Sequence, residues 1–319
     1  MKKLIVNADD FGLNEYTVEW TIKGFECGAL TSATIMAGMS ATELAIAYAK
    51  SHPEFSFGVH LYLVDEKPMC AATDIPSMVN PKTGKLWATR QFILRNFAGL
   101  ITVDDLVREM KAQYQAIAST GLKISHVDGH GHNHRLPQSI KALKLLQAEL
   151  GLSNLCVRRC QDVPVGKMGL LGRMVNGPMQ KRLAKAGFCM TDHFAMNAGH
   201  SSDAKWFSNL LVNLPEGLTE VGVHPGVDEE WRRIDTEDCF APRDWNDIER
   251  VTFKGLGRKF EVSGLRGPRG LRRREDDGYS GDYSGGEGGT AYPAVSGEAG
   301  TAGTSADFCR RIAEGRSDA

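Results

Sequence analysis

Four short segments of this chain carry side chains that could perform metal-assisted hydrolysis. They are an Asp-Asp pair within Asn7–Gly12, a histidine within Gly58–Leu61, a histidine-rich run from His126 to His134, and a histidine within Gly222–Gly226. Each begins in or just after an apolar run typical of a buried strand. Carboxylates and imidazoles without a nearby cysteine are the usual ligands of a catalytic metal that keeps one position open for water.

The histidine-rich run is the strongest of these signals. Its four histidines occupy alternate positions, interrupted by Asp128. Side chains two residues apart share one face of an extended segment, so they can point at a common centre, and we expect this run to bind metal. Taken singly, an Asp-Asp pair is more often a helix cap, and a lone His60 or His224 is more often structural.

Alternating strand and helix patterns position these segments. The predicted strands are Leu4–Ala8, Thr31–Ala37, Phe55–Tyr62, Lys123–Val127, Asn154–Arg158, Cys189–Asp192 and Thr219–His224. The predicted helices are Asn14–Cys27, Thr42–Lys50, Val103–Ser119, Gln138–Leu150, Met179–Ala186 and Ala204–Leu211. This alternation predicts an α/β fold, a single (β/α) barrel-like domain with parallel strands. In such barrels the active site forms at the carboxyl ends of the strands, where all four segments lie.

The domain is predicted to span residues 1–254 and to be followed by a tail of different character. In residues 255–319 apolar residues thin out, and Gly, Arg, Ser, Asp and Glu dominate. Such a composition cannot bury a core, so we predict a low-complexity, disordered tail. Acidic residues are interspersed with the basic ones, which disfavours a nucleic-acid-binding role for this tail.

Composition excludes several partners. The net charge is -1, with 38 basic and 39 acidic residues, so no global field attracts nucleic acid. Seven cysteines without a CxxC pair fit reduced intracellular thiols better than a disulfide framework. The N-terminal apolar run reaches Asp9 too early for a signal peptide, and no stretch is long enough for a transmembrane segment. We therefore expect a cytoplasmic protein; a homo-oligomer remains an open alternative.

A long insertion, residues 63–100, interrupts the barrel pattern near the predicted mouth. Its apolar residues include Trp87, Phe92, Ile93, Leu94, Phe97 and Leu100. Long excursions at a barrel mouth often form lids or substrate walls. Two interpretations stay open: these side chains pack the insertion onto the barrel, or some of them form a lipid-facing lid.

Between Met1 and Arg250 the chain resembles the YdjC-like carbohydrate deacetylases, in particular their hopanoid-biosynthesis-associated branch. The resemblance rests, in order, on NADDFG, GVHL, H-x-D-x-H-x-H, LPEG and GVHPG. It implies a barrel-like fold and one divalent metal ion, zinc or magnesium. The implied reaction is hydrolysis of acetyl groups on amino sugars. The family closes with a helix and a last strand after GVHPG, and Asp244–Val251 is the candidate for that helix.

The resemblance also implies residue roles. The metal ligands would be Asp10, His60 and His130, and Asp9 would be the catalytic base. His224, arriving from the last predicted strand, is placed to protonate the departing amine.

Three further residues are expected beside the substrate or behind the ligands. Asp128 is either a partner that fixes a histidine tautomer or a turn cap. His132 is expected to line the site. Arg158 either holds a sugar hydroxyl or an anionic group, or is a surface cation.

The expected substrate is an acetylated amino sugar such as an N-acetylglucosamine group, and a lipid-linked form is favoured by the insertion. Two other functions remain open: another barrel metallohydrolase, such as a phosphoesterase or amidohydrolase, and a non-catalytic metal-binding protein. Phosphoesterases and amidohydrolases usually carry HxH on the first strand, whereas Asp9 and Asp10 occupy it here.

Overall fold

The computed structural model describes residues 1–165, 170–197, 203–245 and 247–256. Seven strands form one parallel sheet: β1 Lys2–Phe11, β2 Ser32–Ile35, β3 Ser56–Leu61, β4 Ile124–Gly129, β5 His193–Met196, β6 Gly217–Val223 and β7 Ile248–Arg250. Their order is β4-β3-β2-β1-β6-β5, and β7 pairs with the first residues of β1. The predicted parallel α/β architecture is confirmed.

The helices cover the outside of the sheet. They are α1 Glu15–Glu26, α2 Thr42–Ser51, α3 Thr89–Phe97, α4 Val103–Ala118, α5 Pro137–Glu149, α6 Leu170–Ala186, α7 Trp206–Val212 and α8 Glu230–Phe240. In α4 the hydroxyl of Thr102 accepts a hydrogen bond from the amide of Asp105, and Leu106, Met110 and Ile117 form a buried stripe. The helix predicted at Val103–Ser119 is therefore confirmed, and it is an amphipathic helix with a side-chain cap at its N-terminus.

The two edges of the sheet are joined by short backbone bridges, which give it a curled, barrel-like form. Val157 bridges Val127 of β4, and Cys156 bridges Cys189, which lies just before β5. The predicted strand Asn154–Arg158 is therefore reduced to these bridges. The predicted strand at Cys189–Asp192 is wrong, because the regular pairing with β6 begins only at His193.

The predicted helix Asp244–Val251 is also wrong. Residues 248–250 are strand β7, paired with the start of β1, and the helix that follows GVHPG is α8. Charged residues dominate α8, and several of them are buried, so its inward face carries no apolar periodicity.

The insertion is well packed on its inner side. Ile75, Met78, Leu86 and Phe92 are buried against the domain. On the outer side Leu94, Phe97 and Leu100 are 65%, 50% and 56% exposed. The packing interpretation is therefore confirmed for the buried set, and the lipid-facing interpretation stays a prediction for the exposed set.

Within the described residues no helix is long and apolar enough to cross a membrane. Of the predicted tail, only residues 255 and 256 are described, and Leu256 is buried beside Phe253 and Ile5. The prediction for 257–319 lies outside the described residues.

Candidate active site

Two adjacent aspartates at the end of β1 point into different surroundings. Asp10 has a positive φ of 59°, and the pairing of β1 with β2 shifts register between Ala8 and Phe11. A non-glycine residue in this left-handed region marks a local constraint on the backbone. The kink directs Asp10 toward His60 and His130, while Asp9 faces Arg158.

Asp10, His60 and His130 converge. Asp10 Oδ1 lies 2.9 Å from His130 Nδ1 and 3.3 Å from His60 Nε2, and one ligand atom from each residue lies within 4.8 Å of the others. Asp10 and His60 are buried, whereas the His130 side chain is 42% exposed. His60 Nε2 is buried without a hydrogen-bond partner among the described residues. Burial alone would raise the pKa of Asp10, but the hydrogen bond with His130 and the charges of His130 and His60 hold it well below its ordinary value.

Asp128 lies behind this trio and fixes His60. His60 Nδ1 donates to Asp128 Oδ1 at 2.8 Å, and the Thr34 hydroxyl donates to Asp128 Oδ2 at 3.0 Å. With Nδ1 as the donor, Nε2 faces Asp10. Burial lowers the pKa of His60, but the charge of Asp128, the hydrogen bond with Asp128 and the neighbouring Asp10 carboxylate outweigh this effect and raise that pKa to about 10.

Arg158 joins three buried carboxylates. Its guanidinium donates to both oxygens of Asp9 at 2.5 and 2.7 Å, and Nη2 lies 2.7 Å from Asp128 Oδ2. Nε donates to Glu220 Oε1 at 2.6 Å. Because the Arg158 side chain has no exposed surface, its interpretation as a surface cation is wrong. All these contacts are with carboxylates, so its expected contact with a sugar hydroxyl has no support in this geometry.

His224 lies between the carboxylates of Asp9 and Asp235. Its Nε2 lies 4.0 Å from Asp9 Oδ2, and its Nδ1 lies 3.5 Å from Asp235 Oδ2. The Trp231 ring meets the imidazole edge to face, with 5.1 Å between ring centroids. Burial lowers the pKa of His224, but the hydrogen bond with Asp235 and the charge of Asp9 raise it above the ordinary value.

The expectation that the histidine-rich run points at one centre is wrong. Strand β4 ends at Gly129, and His130–Arg135 form a 3₁₀ turn in which Gly131 and His132 have positive φ. The side chains therefore diverge. His132 Nε2 lies 2.6 Å from Met196 Sδ, and His134 Nε2 donates to the Arg158 carbonyl at 3.1 Å. Only His130 of the run lies in the Asp10 trio.

A protein-family model described as YdjC-like protein matches residues 3–268 of the chain. The chain belongs to the YdjC-like family. The hopanoid-associated branch is not distinguished by this match.

Several relatives of this YdjC-like chain are named as deacetylases. A chitooligosaccharide deacetylase of Yersinia enterocolitica is 36% identical over 272 residues, which cover 83% of this chain and 96% of the relative. A carbohydrate deacetylase of Brevibacillus brevis is 32% identical over 229 residues, which cover 72% of this chain and 83% of the relative. Other matches are partial: the chain spans 62% of the carbohydrate deacetylase of Halalkalibacterium halodurans and 54% of that of Geobacillus stearothermophilus.

A solved structure from Enterococcus faecalis V583, named for a proposed role in cellobiose-phosphate cleavage, shares the fold. Its TM-score is 0.64 at 20% sequence identity, covering 80% of this chain and 99% of that one. At this identity the likeness concerns the YdjC-like fold alone.

Sequence reasoning missed two residues of α8 at the site. Arg232 donates to Asp10 Oδ2 at 2.8 Å, and Asp235 lies behind His224. Their three-residue spacing places them on one face of the helix, which is a weak signal. A face of charged residues on a helix is normally predicted to be exposed to solvent. The sequence therefore gave no reason to place Arg232 and Asp235 in a buried site.

Proposed function

We propose that this chain is a metal-dependent carbohydrate deacetylase that hydrolyses the N-acetyl group of an amino sugar. One observation carries the proposal: Asp10, His60 and His130 come together beside Asp9 and His224, two groups suited to proton transfer. The deacetylase names of its relatives support the substrate class.

The residues present fit a divalent metal ion. A carboxylate and two imidazoles are a common donor set for zinc in hydrolases. His60 offers a buried nitrogen that has no hydrogen-bond partner among the described residues, and Asp128 holds that imidazole from behind. Imidazole nitrogen favours zinc, whereas magnesium prefers oxygen and would keep several waters. When bound, such an ion supplies Lewis acidity, which polarises an acetyl carbonyl and makes water more acidic.

Asp9 is the proposed general base. Its carboxylate is held by two hydrogen bonds from Arg158 and one from Asn7, which fix its direction toward the site. A positioned base that accepts the proton of the attacking water contributes roughly 10²–10⁴-fold in rate.

His224 is the proposed general acid. Nδ1 is held by Asp235, so Nε2 faces the reaction centre near Asp9. The raised pKa of His224 favours the protonated imidazole, which can donate to the departing amine nitrogen.

The phosphoesterase alternative is disfavoured by charge. The two arginines at the site, Arg158 and Arg232, are each paired with carboxylates. A phosphate would meet Asp9 and Asp10 with neither arginine free of a carboxylate partner, so the metal ion alone would have to balance its charge. A neutral acetamido sugar avoids this repulsion.

The finer substrate proposal is a lipid-linked acetylglucosaminyl group. It rests on the exposed Leu94, Phe97 and Leu100 of the insertion, since exposed apolar patches commonly mark binding surfaces. The resemblance to the hopanoid-associated branch points the same way. Comparing kcat/KM for an acetylglucosaminyl lipid and for chitobiose tests it, because binding of the aglycone should favour the lipid. Equal or better turnover of chitobiose would remove the lipid proposal and leave the deacetylase proposal intact.

The deacetylase proposal itself is tested by acetate release. Purified protein is incubated with Zn²⁺ or Mg²⁺ and a panel of N-acetylated saccharides, with phosphate monoesters as the rival substrates. Acetate released with metal and lost with chelator is the expected result. Release of phosphate without release of acetate would contradict the deacetylase proposal and favour a phosphoesterase.

A further inference from the structure

His126 is a buried histidine that neither the metal trio nor the proposed proton transfers use. Its imidazole lies on the far side of Asn7 from the catalytic carboxylate. Nε2 is 3.2 Å from Asn7 Oδ1, and Nδ1 is 2.8 Å from the Ser125 hydroxyl. Asn7 in turn donates through Nδ2 to Asp9 Oδ1 at 2.9 Å and to the Thr34 hydroxyl at 3.1 Å.

The direction of these hydrogen bonds follows from the carboxylate. Asp9 accepts only, so Asn7 must present its NH₂ group to it and its carbonyl to His126. His126 must then carry its proton on Nε2. Burial lowers the pKa of His126 to about 3, so the ring is neutral and has that single proton. Nδ1 is therefore an acceptor, and it shares the single proton of the Ser125 hydroxyl with the Phe57 carbonyl, which lies 2.8 Å from the same oxygen.

The imidazole is held rigidly in this orientation. A Cβ atom on Gly58 would lie 2.7 Å from the ring, so only glycine leaves room for it. Phe253 stacks on the ring, with 3.7 Å between centroids and 12° between planes. With the ring confined in this way, turning the amide of Asn7 over would place its oxygen against the Asp9 carboxylate and its NH₂ group against the N–H of His126 Nε2, so both hydrogen bonds would be lost.

We propose that His126 and Asn7 are positioning residues that form a relay, in which the imidazole fixes the amide and the amide aims the Asp9 carboxylate. The inference rests on the proposed function, because it assigns the relay to the proposed base. Arg158 binds both oxygens of Asp9, whereas Asn7 binds only Oδ1. This asymmetry leaves Oδ2 as the oxygen nearest His224.

A double-mutant cycle on the full chain tests the relay. Asn7→Leu removes the amide, His126→Phe keeps a ring between Gly58 and Phe253 but removes the donor, and the double variant combines them. Each single variant should lose about 10- to 100-fold in kcat through misplacement of the base, with KM within about twofold. Because His126 acts through Asn7, the double variant should be no slower than Asn7→Leu. Multiplying losses would overturn the relay.

Two further variants separate positioning from packing. His126→Gln restores a donor without the aromatic ring and should regain most of the kcat that His126→Phe loses; failure to regain it would contradict the relay. His52→Phe is the matched control, since His52 lies on Tyr48 at the end of α2 and has no contact with the relay. All variants should bind Zn²⁺ as the unmodified chain does. Loss of metal with loss of kcat would indicate a general structural role instead.

Failure of the relay and failure of the deacetylase proposal give different results. If the unmodified chain releases no acetate, the proposed function fails before the cycle is measured. If it is active and the losses multiply, only the relay fails. Should His126→Phe not fold, His126→Asn takes its place in the cycle, because its shorter amide falls short of Asn7.

Discussion

Asp9 and Asp10 are neighbours on one strand, yet the two halves of the site around them differ in how their polar atoms are satisfied. Around Asp9, each carboxylate oxygen accepts from Arg158, and Asn7 adds a third hydrogen bond. Around Asp10, His60 keeps a buried nitrogen without a hydrogen-bond partner among the described residues, and His130 is partly exposed.

This difference separates two kinds of task. A buried polar atom left without a partner costs free energy, and functional sites are where such a cost is retained. The Asp10 half is therefore suited to binding an ion. In the other half, both oxygens of Asp9 already accept hydrogen bonds, so that half is suited to holding one carboxylate in place. The following variants break the two halves separately.

Asp9→Asn should produce the largest effect on activity. The amide fills the same space but cannot accept the proton of water, so kcat should fall by about 10²–10⁴-fold. Acetate release under saturating substrate measures it. Asp65→Asn, on the insertion, is a control of the same chemistry away from the site. A fall in kcat below about tenfold for Asp9→Asn would remove Asp9 as the base.

Arg158→Leu should produce a large effect on stability. It leaves the carboxylates of Asp9, Asp128 and Glu220 buried without their shared cation, and breaking such a pair costs about 3–5 kcal/mol. Urea unfolding measures the free energy of unfolding. Arg108→Leu is the control, since this exposed arginine pairs with Asp105, and such pairs contribute about 0–1 kcal/mol. Equal losses in both variants would show that Arg158 does not hold the Asp9 half together.

Asp235→Asn should have a smaller effect, of about tenfold in kcat, on the proposed acid. Because Asp235 raises the pKa of His224, its removal lowers that pKa. The imidazole then loses its proton at a lower pH, so the basic limb of the plot of kcat against pH moves to lower pH. Asp238→Asn on the same helix is the control: Asp238 accepts from the backbone at the start of α7. It should affect melting temperature and leave the pH profile in place. A basic limb that moves equally in both variants would contradict the role of Asp235.

Leu94→Ser combined with Phe97→Ser should have the smallest effect. Both side chains are at least half exposed, so stability should change by no more than about 0.5 kcal/mol per substitution, and chitobiose turnover should not change. Turnover of an acetylglucosaminyl lipid should fall. Phe92→Ala, which empties a buried position on the same helix, should instead cost about 3–5 kcal/mol. An unchanged lipid turnover would show that the patch does not contact substrate.

The sequence predicted the fold where hydrophobic periodicity governs it. Helix α4 and strand β1 were predicted because their patterns of apolar side chains mark them. The approach of the strand ends followed from parallel α/β geometry, which brought Asp10, His60 and His130 into one region.

The rest depended on interactions that one sequence does not display. The histidine-rich run was assigned to extended backbone, although Gly129 and Gly131 allow the chain to turn there. Arg232 and Asp235 lie on a helix of charged residues, and charged residues alone are predicted to be exposed to solvent rather than buried in a site. Arg158 follows two isolated bridges rather than a regular strand, and three carboxylates from strands β1, β4 and β6 decide what it contacts.

Metal titration of Asp9→Asn and Asp10→Asn, compared with the unmodified chain, tests the division of the site most directly. Zn²⁺ binding is followed by equilibrium dialysis at a fixed pH, which requires no substrate. Asp9→Asn should bind one ion per chain with affinity within about threefold of the unmodified protein, and Asp10→Asn should lose affinity by about 10–100-fold or more. Loss of metal in Asp9→Asn with retention in Asp10→Asn would contradict the account and exchange the roles of the two aspartates.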